Sequence, residues 1–242
     1  MGWLDWDEFA NDYDGVFLLD PVYVNMLEML IGQIGDANGK RILDIGCGTG
    51  NLAFQLLQRS TGALVLGMDP SAKMRELFSG RFSGLENVAV TDGDALAIPA
   101  RDSEFDFVVT SLALHHVPRE TKAGCAKELA RVLKPGGTLL YADRFVDRDG
   151  PPGDPERARD TIRKMTGWAM YCLDNNAYEK AVMIIESIPN DLRENGEYVI
   201  TSEAWLGYLR DAGFTGLELL AIPPAEYGLK VIRGELGGGE YG

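Results

Sequence analysis

Between Lys40 and Leu140, short apolar runs alternate with amphipathic stretches, the pattern of a parallel sheet covered by helices. The runs are Arg41–Ile45, Ala63–Met68, Asn87–Thr91, Phe105–Thr110 and Thr138–Ala142. Several are apolar nearly throughout, as strands buried on both faces require. Ahead of them, Asp20-Pro21 offers a capping side chain and a proline where a helix tolerates it. Tyr23, Leu27, Leu30 and Ile34 then recur at helical spacing. After Pro118, Cys125, Leu129, Val132 and Leu133 share one helical face, and the helix stops at Lys134-Pro135-Gly136-Gly137.

The regular alternation breaks at Asp147–Asp154, a polar stretch rich in Pro and Gly that reads as a loop. Two helices are predicted behind it. Ala158, Ile162, Met165, Ala169 and Cys172 form the stripe of one; Ala181, Ile185 and Ile188 form that of the other, ending at Pro189. A further helix runs from about Thr201 to Ala212, with Gly213 at its C-terminal cap. The strands Gly216–Ile222 and Glu226–Arg233 follow, and the short Pro223-Pro224 connection makes them antiparallel. The fold class expected is α/β: a doubly wound, mostly parallel seven-stranded sheet with an antiparallel last strand and a helical insertion after the fifth strand. At the other end, Trp6, Ala10, Tyr13 and Phe17 lie at helical spacing.

Composition narrows the choice of partner more than of fold. The chain carries 23 basic and 37 acidic residues, a net charge of −14, and its first 39 residues hold eight acids and no Lys or Arg. Binding a nucleic-acid backbone needs clustered cations, so a nucleic-acid partner is not expected. Acidity of this kind reads as a soluble, self-repelling surface. No apolar run reaches the roughly 20 residues of a membrane span, and the acidic, aromatic start is unlike a signal peptide, so a cytoplasmic location is expected. Cys47, Cys125 and Cys172 form no CxxC pair and His115 and His116 are adjacent, so neither a disulfide framework nor a metal site is expected. Cys125 reads as a core residue.

Candidate chemistry enters at residues 42–50, Ile-Leu-Asp-Ile-Gly-Cys-Gly-Thr-Gly, an apolar strand running into a glycine loop and then a helix. Glycines let the backbone turn sharply and let a ligand lie against main chain. A dinucleotide loop needs G-x-G-x-x-G, but Asn51 stands where its third glycine would be, and no phosphate-loop signature is present. Asp44 at the strand end suits a cationic amine. A second acid, Asp69, ends the next run in Gly67-Met68-Asp69-Pro70, and a third lies in Gly93-Asp94-Ala95.

In these motifs, with Phe105–Val109 and Leu133–Gly137, the chain resembles the class I S-adenosylmethionine-dependent methyltransferases, and the insertion Arg144–Ile200 with the short helix and antiparallel strand pair behind it resembles the broad subgroup acting on metabolites and quinone-like acceptors. The resemblance covers about Lys40–Ala142 and Thr201–Arg233. It implies that Asp44, Gly46, Gly48 and Gly50 hold the methionine portion of S-adenosylmethionine. It also implies that Asp69, followed by Pro70, takes the ribose hydroxyls, that Asp94 and Ala95 meet adenine, and that Ser111 lies near the methionine portion. Tyr13 would sit on a segment folded over the cofactor. Residues 1–39 are then an N-terminal helical lid segment, 40–143 and 201–233 the Rossmann-like cofactor-binding core, 144–200 a helical substrate-side insertion and 234–242 a flexible tail.

Methyl transfer gains mostly from alignment, and a base is needed only if the acceptor carries its proton into the reaction. His115 or His116, beyond the fourth strand, and Asp143, at the end of the fifth, are the base candidates. The acceptor expected is a small molecule. A tRNA-modifying enzyme and a non-catalytic S-adenosylmethionine-binding module remain alternatives, and a dehydrogenase is disfavoured by Asn51 and Asp94. The oligomeric state is left open.

Overall fold

The computed structural model describes residues 4–238. Seven strands form one sheet: β1 (Arg41–Ile45), β2 (Leu64–Met68), β3 (Val88–Thr91), β4 (Phe105–Ser111), β5 (Leu133–Arg144), β6 (Phe214–Ala221) and β7 (Leu229–Leu236). Their order is β3-β2-β1-β4-β5-β7-β6. The first five run parallel, and β7 is antiparallel to both β5 and β6. The helices are α1 (Trp6–Phe9), α2 (Tyr13–Phe17), α3 (Pro21–Ile34), α4 (Asn51–Arg59), α5 (Ala72–Arg81), α6 (Lys122–Val132), α7 (Pro155–Asp174), α8 (Tyr178–Arg193) and α9 (Ser202–Asp211).

The doubly wound form follows from strands that are apolar on both faces. Ile42, Val109, Leu140 and Val231 are fully buried in one core with α3 and α4. Their strand neighbours Leu43, Val108, Leu139 and Ile232 are fully buried in the other, with α6 and α9. Side chains alternate faces at every residue, so a run of Val, Ile and Leu must be covered twice. The winding reverses between β1 and its neighbours β2 and β4, where α/β sheets open a crevice at the strand carboxyl ends.

The pattern and the structure part company at five places. The stripe Trp6 to Phe17 is two short helices, because Asn11 and Asp12 favour turns over helix interior. Lys134–Gly137 lies inside β5, which starts straight after α6. A register shift between Phe105 and Phe107 absorbs the irregularity, with Gly136 at φ 76°. Helix α8 passes through Pro189 to Arg193, its last turn held by the Arg144–Asp191 ion pair. Ile162 and Ile185, placed on buried stripes, are 42% and 47% exposed; the buried face of α7 instead carries Arg157, Asp160 and Lys164 beside Trp168. Finally, β7 extends through Gly234 to Leu236, residues assigned to the tail, while 239–242 lie outside the described residues.

The insertion carrying α7 and α8 leaves and rejoins the sheet at one point. Val146 and Thr201 form a parallel bridge, and Val146 N–H donates to Ile200 O at 3.3 Å. Among the described residues, no helix is long and apolar enough to cross a membrane.

Among the described residues, Trp205 is the largest fully buried side chain, edge-on to Tyr141 at 5.1 Å and under the Lys122 ammonium at 5.2 Å. Trp205→Ala is expected to destabilise the fold by roughly 3–5 kcal/mol, read by circular dichroism as a lower urea midpoint.

Candidate functional site

The glycine loop is anchored to the end of β2 by two successive residues. Gly46 and Cys47 N–H groups both donate to Met68 O at the end of β2, at 2.8 and 3.1 Å. Asp69, the residue after Met68, holds the loop as well: Oδ2 accepts from Gly48 N–H at 2.9 Å, and Oδ1 from Ser71 N–H at 2.9 Å. Gly46 has φ 68°, and a Cβ there would lie 2.4 Å from Ala113 Cβ, so no side chain fits. Gly50, also left-handed, caps α4.

Around this loop lies a cavity of about 440 Å³ at the carboxyl ends of the strands. Of the residues expected at the site, Tyr13, Gly46, Gly48, Asp69, Pro70, Asp94, Ala95, Ser111 and His116 line it. Asp94 Oδ1 accepts from Leu96 N–H at 2.7 Å, shaping a turn that leaves Ala95 buried on the wall. Leu112, a non-glycine residue at φ 51°, sits where the wall turns from the cofactor loop toward the insertion. The other four expected residues, Asp44, Gly50, His115 and Asp143, stand behind the wall.

Asp44 is 1% exposed, and its Oδ2 is buried with no hydrogen-bond partner. Burial, reinforced by the nearby Asp69 charge, pushes its pKa from 3.8 up to about 7. Asp69 is raised too, again chiefly by burial, against the hydrogen bonds from Ser71 and Gly48. The loop therefore rests on two crowded carboxyl groups, with Arg75 turned to the Asp69 carbonyl and to Asp92, an arrangement that favours a positively charged ligand.

The adjacent histidines part company. His115 is 6% exposed; its Nδ1–H donates to Asp143 Oδ1 at 2.6 Å, and its Nε2 lies 3.4 Å from Glu197 Oε2. Burial pushes it down to about 4 despite the Asp143 charge, so the ring is neutral near pH 7. Asp143 is fully buried and takes Tyr141 O–H, His115 N–H and Arg144 N–H as well. That environment removes Asp143 and His115 from the cavity wall and makes Asp143 an orienting group for the histidine. His116 faces the cavity, and its Nδ1–H donates to Gly196 O at 2.8 Å, which leaves Nε2 as the ring's basic atom.

Sequence reasoning missed two sets of residues. The first pins the N-terminal helices to the loop: Asp14 Oδ1 accepts from Thr49 O–H at 2.6 Å and Asn51 Nδ2 at 3.0 Å, and Asp14 also pairs with Arg81. Asp7 likewise accepts from Ser71 O–H and Lys73 N–H. The second, Gly196 and Tyr198, returns from the far end of the insertion to close the cavity, with Tyr198 N–H donating to His115 O at 2.7 Å. Nothing local in the sequence marks either set. His115, His116 and Glu197 have ligating atoms within 4.8 Å of one another, but the Gly196 carbonyl engages His116 and the Arg144 guanidinium engages Glu197.

A glycine loop and acidic strand ends facing one crevice define a Rossmann-like, cofactor-binding enzyme fold. The methyltransferase-domain family model matches residues 42–137. An uncharacterized methyltransferase of Staphylococcus carnosus is 33% identical over 189 residues, 76% of this chain and 84% of its own length. Two solved structures share the fold. The Haloferax volcanii methyltransferase in complex with the Trm112 methyltransferase activator has TM-score 0.68 at 16% identity, over 96% of this chain and 98% of its own. Human N-acetylserotonin methyltransferase in complex with S-adenosylmethionine has TM-score 0.62 at 18% identity, over 96% and 56%. The chain belongs to the class I S-adenosylmethionine-dependent methyltransferases. Its cofactor is S-adenosylmethionine.

An acid whose folded pKa is raised makes the fold less stable as pH climbs from its unfolded value toward the folded one. For Asp44 that window runs from 3.8 to about 7. Without ligand, the wild type is expected to lose about 3 kcal/mol more than Asp44→Asn between pH 5 and pH 8, measured by urea unfolding at both.

Proposed function

We propose that this enzyme transfers the methyl group of S-adenosylmethionine to a small-molecule acceptor bound beside His116. The observation that carries this reading is the composition of the cavity wall. Among the described residues it holds no Lys or Arg, while glycine backbone, Asp69, Asp94 and aromatic rings make up its polar and π surface. A wall of this kind suits a compact neutral or cationic group and offers no purchase to a phosphate backbone.

The residues present fit the cofactor. Asp69 keeps lone pairs beyond its two loop bonds, enough to accept ribose hydroxyls. On this reading Asp94 and Ala95, both on the cavity wall, meet adenine, while Ser111 and the glycine loop meet the methionine portion. Asp44 is the counter-charge for the amino group; its orphaned, buried Oδ2 is the observation that supports this. Tyr13, whose ring lies 3.6 Å from where a Gly48 Cβ would be and stacks on Phe17 at 4.2 Å, presents an aromatic surface to a cation.

S-adenosylmethionine supplies an electrophilic methyl group on a good leaving sulfur. The chain's part is to align the partners and exclude water. His116 Nε2 accepts the proton when the acceptor carries one into the reaction. The His115–Asp143 pair and Gly196 O hold the two rings in register, 4.1 Å apart.

Calorimetric titration with S-adenosylhomocysteine tests the cofactor half. Wild type is expected to bind, with affinity rising from pH 6 to pH 8 as Asp44 ionises and with proton release at the lower pH. Asp69→Ala is expected to lose binding. Binding that survives intact in Asp69→Ala overturns the assignment. With a turned-over acceptor, His116→Asn is expected to lower kcat by roughly 10²–10⁴-fold at unchanged S-adenosylhomocysteine affinity. An unchanged kcat removes His116 as the base.

A further inference from the structure

Beside the main cavity lies a smaller chamber of about 60 Å³ that shares Trp6, Phe17, Leu112 and His116 with it. By volume it holds roughly four or five water-sized groups. Its far wall comes from the insertion, with Met165 and Trp168 on α7 and Lys180, Met183 and Ile184 on α8.

Lys180 is 4% exposed. Its Nζ lies 3.3 Å from the centroid of the Phe17 ring and 5.2 Å from that of Trp168. Among the described residues it has no hydrogen bond and no ion pair within 4.0 Å. The neighbouring charges are already engaged. Arg144 pairs with Asp191 at 2.6 Å and with Glu197. Asp20 accepts from Trp168 Nε1 at 3.1 Å, from Val22 N–H at 2.9 Å and from Cys172 Sγ at 3.6 Å. Asp143 is occupied by His115, Tyr141 and Arg144. Among the described residues, the ammonium is thus the one charge on the chamber wall without a direct counter-ion.

An ammonium buried among aromatic rings loses hydration that cation–π contacts replace only in part. Burial pushes Lys180 down to about 8, and Asp20 counters this only at a distance. A ligand anion would give the ammonium a direct counter-ion without displacing any bond the protein already makes, the Glu197 carboxylate on the same wall being held by Arg144.

We infer that Lys180 is the acceptor-specificity residue of the enzyme, and that it anchors the carboxylate of a small, otherwise apolar organic acid. The inference rests on the methyltransferase reading above and names its substrate class. The carboxylate occupies the chamber between Phe17 and Trp168, and the apolar stem passes the shared wall of Trp6 and Leu112. The reactive atom then lies in the main cavity beside His116. The carboxylate is the handle, not the atom methylated.

The test uses the full chain saturated with S-adenosylhomocysteine and paired probes: butyrate, hexanoate, benzoate and phenylacetate against their primary amides, followed by ligand-observed NMR. The wild type is expected to bind at least one acid tenfold or more tighter than its amide. In Lys180→Met and in Lys180→Gln the preference is expected to vanish while S-adenosylhomocysteine affinity stays within twofold, which also reports that each variant is folded. Equal binding of acids and amides by the wild type overturns the inference, as does a preference that persists in both variants. Failure of the wild type to bind S-adenosylhomocysteine is a different result, and overturns the cofactor reading itself.

Discussion

The constraint on which the rest of the structure depends is that the sheet is buried on both faces. Ile42 and Leu43, Val108 and Val109, Leu139 and Leu140 point alternately into two separate cores, and each is fully enclosed. Neither face of such a sheet can host a solvated reaction, so polar chemistry is confined to the strand ends. Asp44, Asp69, Ser111 and Asp143 all stand at or just beyond those ends. The short parallel strands β1, β2 and β4 stop within reach of one another, and loops that would otherwise be mere connections become the walls of one cavity.

A second theme is that two charges are placed against stability beside the cavities. Asp44 carries an unpartnered buried oxygen, and Lys180 carries an ammonium met mainly by rings. Each is the kind of group a stability-driven design would remove, and strain of this sort gathers where ligands complete the structure. The surrounding framework is correspondingly well paired. Arg144 sits between Asp191 and Glu197, Arg157 meets Glu194 at 3.1 Å, and Lys164 meets Asp160 at 3.1 Å. The Arg144 pairs connect the insertion to β5 and the other two brace the insertion itself, more by geometry than by net energy, because desolvation offsets much of their attraction.

How far the sequence could be read depended on whether each element announced itself locally. The five parallel strands and the antiparallel last pair were legible because double burial writes continuous apolar runs and short turns limit topology. The glycine loop and the position of Asp69 and Asp94 on the cavity wall were legible because the family motif ties them to the ends of successive strands. The insertion was not, because part of its buried face is ionic: Arg157, Asp160 and Lys164 occupy positions that a hydrophobic pattern assigns to solvent, and Ile162 and Ile185 are turned outward. Adjacent histidines carry no sign of which one faces the ligand. In the short helical turn Leu114–His116, successive side chains diverge, and only packing against Asp143 and Gly196 separates their roles. Asp7 and Asp14 read as part of an acidic surface, yet they fasten the N-terminal helices to Ser71, Thr49 and Asn51, partners 35 to 64 residues away.

The bridge between Val146 and Thr201 has a consequence for how such an enzyme changes over generations. Both ends of the insertion leave the sheet at the same place, so its length and contents are geometrically independent of strand spacing. Helices there can be lengthened, trimmed or exchanged by recombination while β5 and α9 keep their positions. On the reading proposed above, the insertion is then a cassette, and the sheet with its glycine loop a chassis. Lineages built this way diversify their repertoire without reinventing their chemistry.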